Sequence, residues 1–163
     1  MIDTEAFAEF RKALGFLRDG YPEKSLPHFR RASELEDQNP FYRSYLGLAI
    51  ARAGQNREEA EALCNLALRG KRDQPQLYLN LAEVYASGGQ KQDAIETLLM
   101  ATRYSQRDAR VYAMLSQLSS RRAPVIPFLR RENVINRGLG VARHKAMRIF
   151  ESQPSAPAPE GAR

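Results

Sequence analysis

Cys64, His28 and His144 are the side chains best suited to nucleophilic or metal chemistry in this 163-residue sequence, which holds one cysteine and two histidines. A nucleophilic thiol needs a base beside it, so Cys64 would have to lie next to one of those histidines. A Cys–His metal centre needs more ligands than these three. Glu58, Glu59 and Glu61 form an acidic group, but acids bunched just after a turn signal read as first-turn helix residues favoured by the helix dipole. A lone cysteine allows no internal disulfide and fits a reducing compartment. No Gly-x-Gly-x-x-Gly, no phosphate loop ending in Gly-Lys-Ser/Thr and no Gly-x-Ser-x-Gly occurs. The expectation is therefore no catalytic residue, no metal and no cofactor: a binding protein, not an enzyme.

The charges are distributed unevenly. Residues 1–120 hold sixteen Lys/Arg and sixteen Asp/Glu. Residues 121–148 hold Arg121, Arg122, Arg130, Arg131, Arg137, Arg143, Lys145 and Arg148, opposed by Glu132 alone. The formal net charge of +6 thus belongs to one segment. Such a segment could meet an acidic protein surface, an anionic membrane surface or nucleic acid, or simply stay solvated. Nucleic acid is disfavoured, because no nucleic-acid-binding motif accompanies the arginines.

Elements must position whatever these residues do. The opening Met1-Ile2-Asp3-Thr4-Glu5 is acidic and lacks a basic stretch followed by an apolar run, so it does not read as a secretory signal. No run of about 18 apolar residues occurs, so no membrane-spanning helix is expected. A cytoplasmic protein is the resulting expectation.

The dominant feature is an internal repeat. Ala13, Gly47, Ala82 and Ser116 align at separations of 34, 35 and 34 residues. A second small residue follows in each unit (Ser25, Ala60, Ala94), then a larger one four positions on (Phe29, Cys64, Leu98), then a third small one (Ala32, Ala67, Ala101). Gly20, Gly54 and Gly88-Gly89 divide each unit into halves, as glycine does where a helix ends in a left-handed residue. Asn39-Pro40 and Gln74-Pro75 open units, and Pro22 opens the second half of the first. Leu77, Leu81, Val84 and Tyr85 lie on one face of a 3.6-residue helix. Pro27, inside the second predicted helix, removes a backbone donor and predicts a bend.

These residues resemble the tetratricopeptide repeat (TPR) family. The third unit, with Tyr78, Leu81, Ala82, Tyr85, Ala94, Leu98 and Ala101, matches it best. The resemblance implies an all-α fold: a right-handed superhelical array of about three helix-turn-helix units at residues 6–39, 40–74 and 75–108, a partial fourth at 109–121, and a TPR domain spanning 1–122. After Pro124 and Pro127 the repeat stops, but Val125, Ile126, Phe128, Leu129, Val134 and Ile135 continue. Residues 123–150 read as a basic capping and interaction segment over the exposed end of the array. Residues 151–163, rich in Pro and Ala, read as a disordered tail.

In this family the first helix of each unit lines a concave groove. By position, that implies Phe7, Phe10, Arg11 and Leu14, then Phe41, Ser44, Tyr45 and Leu48, then Gln76, Leu79, Asn80 and Glu83, then Arg110, Ala113, Met114 and Gln117. The aromatics Phe7, Phe10 and Phe41 are either anchors for a partner or packing within the array. Some family members clamp a partner's terminal carboxylate. Asn80 and Arg110 stand at two clamp positions, but Phe10 and Leu14 stand where Lys and Asn would be needed, so that clamp is incomplete. The implied function is an adaptor or scaffold holding a partner peptide or helix. In size and repeat number the chain also resembles translocator chaperones of type III secretion, which implies a secretion-type chaperone for a hydrophobic client. A third reading is a peripheral membrane-associated assembly factor anchored by the basic segment. Self-association through an uncovered end is a further possibility.

Overall fold

The computed structural model describes residues 4–104 and 108–119. The segments expected as basic cap (123–150) and tail (151–163), with all eight basic residues named above and His144, lie outside the described residues. Among those described, the secondary structure is α-helical throughout, in seven helices: α1 Glu5–Arg18, α2 Pro22–Leu35, α3 Pro40–Arg52, α4 Arg57–Gly70, α5 Pro75–Ser87, α6 Lys91–Tyr104 and α7 Ala109–Ser119. The molecule is an all-α helical repeat array.

Local chemistry starts and stops each helix. Thr4 caps α1 by accepting from the Phe7 amide at 3.2 Å. Asn39 caps α3 through Phe41 at 3.1 Å, and Asn56 caps α4 through Glu59 at 3.2 Å. Pro22, Pro40 and Pro75 stand at the first helical positions, where a missing N–H costs nothing. Gln74 makes no capping bond, so Pro75 opens α5 unaided. The first helix of each pair ends in the same way. Gly20, Gly54 and Gly89 have φ of 83°, 66° and 78°. The next residue's amide reaches back five positions: Tyr21 to Phe16 O (2.8 Å), Gln55 to Ile50 O (3.1 Å) and Gln90 to Tyr85 O (2.9 Å). This left-handed turn reverses the chain and satisfies carbonyls that the helix end leaves open. α2 continues as one helix through Pro27, whose ring lies on its exposed face.

The repeat positions form the core. Ser25, Ala60 and Ala94, then Phe29, Cys64 and Leu98, then Ala32, Ala67 and Ala101, are all fully buried. Ala13, Gly47 and Ala82 are buried too, while Ser116, in the last described helix, is exposed. Small residues let helices approach closely. At Gly47 an added Cβ would lie 2.7 Å from the Ala60 carbonyl oxygen and 2.8 Å from Cys64 Sγ. α1 packs on α2, α3 on α4 and α5 on α6.

The junctions between pairs differ. α5 packs on both α3 and α4, whereas α3 meets the first pair by close backbone approach through α2. Between α1 and α3 the space is filled by rings. Phe10 lies 4.6 Å from Tyr42 and 5.3 Å from Tyr45 between centroids, and edge-on to Phe29 at 5.6 Å.

Candidate interaction groove

The first helices of the pairs, with α7, line a concavity of about 820 Å³. Leu14, Leu17 and Arg18 come from α1, and Tyr45, Leu48 and Arg52 from α3. α5 supplies Gln76, Leu79, Asn80, Glu83 and Ala86. α7 supplies Arg110, Ala113, Met114, Gln117 and Leu118. Every third or fourth residue of an α-helix returns to the same face, so one strip of each helix reaches the lining.

A polar ladder crosses the floor. Arg110 Nη1 donates to Gln76 Oε1 at 2.7 Å, Gln76 Nε2 donates to Asn80 Oδ1 at 2.8 Å, and Asn80 Nδ2 donates to Ser44 Oγ at 3.0 Å. Three successive helices, α7, α5 and α3, are thereby joined. Asn80 and Ser44 are buried, so these bonds satisfy groups that would otherwise be costly to bury. Arg110 is also held by Asp108, at 3.1 Å from Nε and 2.7 Å from Nη2. The Arg110 guanidinium in turn keeps the Asp108 carboxyl below the usual carboxylate range. Arg52 pairs with Glu83 between α3 and α5. Burial pushes the Tyr45 phenol above its ordinary value, so it stays neutral and able to donate.

The expected groove residues separate into those at the lining and those elsewhere. Leu14, Tyr45, Leu48, Gln76, Leu79, Asn80, Glu83, Arg110, Ala113, Met114 and Gln117 are brought together in the concavity. Phe10 does not reach it: the ring is buried among Phe29, Tyr42 and Tyr45, filling the gap between α1 and α3. Ser44 lies beneath the lining, as the last acceptor of the ladder. Phe7 stands away from the concavity under the Arg11 guanidinium, at 5.8 Å from the ring centroid. Phe41 faces the loop side, with Lys71 at 6.0 Å. Sequence reasoning missed Leu17, Arg18, Arg52, Ala86 and Leu118. Each lies three or four residues from a residue that was named, and that spacing was the available signal.

Among the described residues, Cys64 and His28 are not brought together. The Cys64 thiol is buried, donates to Ser44 O at 3.4 Å, and is pushed up to about 12 by desolvation. His28 is engaged elsewhere, with Nδ1 at 2.5 Å from Glu9 Oε2 and its ring stacked on Phe16. Among the described residues no three His, Cys, Asp or Glu side chains cluster as metal ligands would. None of their helices is long and apolar enough to cross a membrane.

Comparison with known proteins agrees with this geometry. Residues 51–118 match the tetratricopeptide repeat family model. A search of curated proteins by sequence finds no match. Among solved structures, the first TPR of Spaghetti (RPAP3), bound to the HSP90 peptide SRMEEVD, superposes with a TM-score of 0.60 at 16% identity. That match covers 71% of this chain and 93% of the other. The second TPR domain of human RPAP3, in complex with the HSP70 peptide SGPTIEEVD, gives a TM-score of 0.60 at 16% identity, covering 72% and 97%. Yeast Tom70 gives 0.54 at 19% identity over 90% of this chain and 27% of its own length. With a repeating helix pair, a recurrent glycine turn and a buried small-residue register, the described residues have the fold of a tetratricopeptide repeat array, and residues 51–118 carry the match to that family.

Proposed function

We propose that this protein is an interaction adaptor whose concavity holds a peptide or helix of another protein by apolar anchors. The observation that carries the reading is the split character of the lining. Leu14, Leu48, Leu79, Met114 and Leu118 offer apolar contact, while Arg110, Gln76 and Asn80 among them are already bonded through the ladder that ends on Ser44, and Arg52 is paired with Glu83. A groove of apolar walls with a few fixed polar groups suits an amphipathic segment presenting hydrophobic side chains at helical or extended spacing. The similar RPAP3 domains are described with bound HSP90 and HSP70 peptides, which supports a peptide as the ligand class. Capture of a terminal carboxylate fits this chain less well. Asn80 and Arg110 are committed to internal partners, and Phe10, at a position where a clamp needs a cation, is buried in the core.

The test is affinity capture with the full chain, comparing wild type with Leu79→Asp and Tyr45→Ala, followed by binding measurements on the purified partner. A partner retained by wild type and lost from both variants, with helicity unchanged, supports the groove. A partner retained equally by both variants overturns it.

A further inference from the structure

A second cavity, of about 350 Å³, opens between α4, α5 and α6 and shares no residue with the concavity. Its lining includes three arginines, Arg69, Arg72 and Arg103. All three are exposed, and among the described residues none forms an ion pair or a side-chain hydrogen bond. Glu61, on α4, is bonded to Arg57, and Asp73, next to Arg72 in the chain, accepts from Gln74 and forms no ion pair among the described residues. Three guanidiniums that form no ion pair among the described residues stand around one small cavity and repel one another, and an anionic partner would relieve that repulsion. Apart from Asn65, whose amide donates to Glu61 O, the rest of the wall is aliphatic or aromatic. Tyr78 is buried at the base, and its ring stacks on Tyr104 with centroids 5.9 Å apart. Tyr104 and Met100 stand 51% and 45% exposed. Tyr, Met and Arg are the residue types enriched where proteins meet.

We propose that this cavity is a second protein-docking site, which takes one apolar side chain of an acidic partner segment, the flanking carboxylates pairing with Arg69, Arg72 and Arg103. Other occupants fit less well. The chain's own segment 121–148 carries the same sign of charge as the arginines. Single-stranded nucleic acid calls for successive free aromatic faces along a cationic track, whereas here one face of Tyr104 is already covered by Tyr78 and the arginines encircle a single cavity. The proposal stands apart from the groove reading and does not depend on it.

The experiment uses the full chain and a fluorescein-labelled peptide of one leucine flanked on each side by paired glutamates, read by fluorescence anisotropy. Saturable binding is expected, weakened about tenfold or more by replacing the peptide's glutamates with glutamine, by Arg69→Ser with Arg103→Ser, or by Tyr104→Ala. Leu79→Asp, in the groove, is expected to leave it unchanged. On titration, amide chemical shifts should move within residues 65–72 and 99–104. The proposal is overturned if no saturable binding occurs, if the double arginine variant binds like wild type, or if the shifts fall only in 121–148. It is equally overturned if oligothymidine, but not the peptide, loses affinity in the double variant.

Discussion

Gly47→Ala is expected to destabilise the protein even though alanine is the better helix former. Two effects oppose each other. In a helix interior, replacing Gly with Ala gains about 1 kcal/mol from propensity and unfolded-state entropy. Against this, the new Cβ would lie 2.7 Å from the Ala60 carbonyl oxygen and 2.8 Å from Cys64 Sγ. Ordinary contact begins near 3.4 Å, so α3 and α4 would have to separate by several tenths of an ångström along that line. One of the obstructing atoms is helix backbone and cannot rotate away. Overpacking of this kind costs about 1–3 kcal/mol, occasionally more, and the rigid obstacle places it at the upper end. The net loss is about 2 kcal/mol. Gly15→Ala supplies the control, because a Cβ there meets nothing within 4 Å; it should gain about 0.5–1 kcal/mol. The assay is urea unfolding followed by circular dichroism, with the two midpoints moving in opposite directions at an unchanged slope. A Gly47→Ala midpoint at or above wild type would refute the argument that close α3–α4 approach sets the residue at this position.

Three further outcomes follow from the same structure. Ser44→Ala removes the acceptor of the buried Asn80 amide and should cost about 1–3 kcal/mol; a loss within error of zero would mean the ladder contributes nothing. Cys64, its thiol pushed up to about 12, should resist iodoacetamide in native buffer and react in step with urea unfolding; rapid native labelling would contradict its burial. Glu9 is held below the usual carboxylate range chiefly by its hydrogen bond with His28. A depressed acid contributes stability above its unfolded pKa and loses it as pH falls through the folded one. Melting temperatures of wild type and Glu9→Gln should therefore differ near neutral pH and converge in acid, and parallel curves would refute the coupling.

The helices were legible because their signals are local. Pro22, Pro40 and Pro75 mark starts, Gly20, Gly54 and Gly89 mark turns, and the small-residue register places the buried face. The lining of the groove was only partly legible. Phe10 and Leu14 lie one turn apart, yet one fills the core and the other faces the concavity. What separates them is the distance between α1 and α3, which no single helix encodes. Phe41 carries an anchor-like side chain, but its direction depends on Lys71 and the loop before α3. The arginine cavity was invisible in the sequence, because Arg69, Arg72 and Arg103 become neighbours only when α6 packs beside α4 and α5.

The ring-filled joint between α1 and α3 has a mechanical consequence. In a stacked array each unit holds on only through its neighbours, and stability is close to a sum of unit and junction contributions. The third unit is clasped on two sides, through α3 and α4, while the first is joined by α2 and by a wedge of aromatic side chains. Rings hold by area and stacking, without the interlocked backbones of a small-residue seam. Residues 5–35 are thus expected to open as one helix pair, a door hung on Phe10, before the two pairs behind it separate from each other.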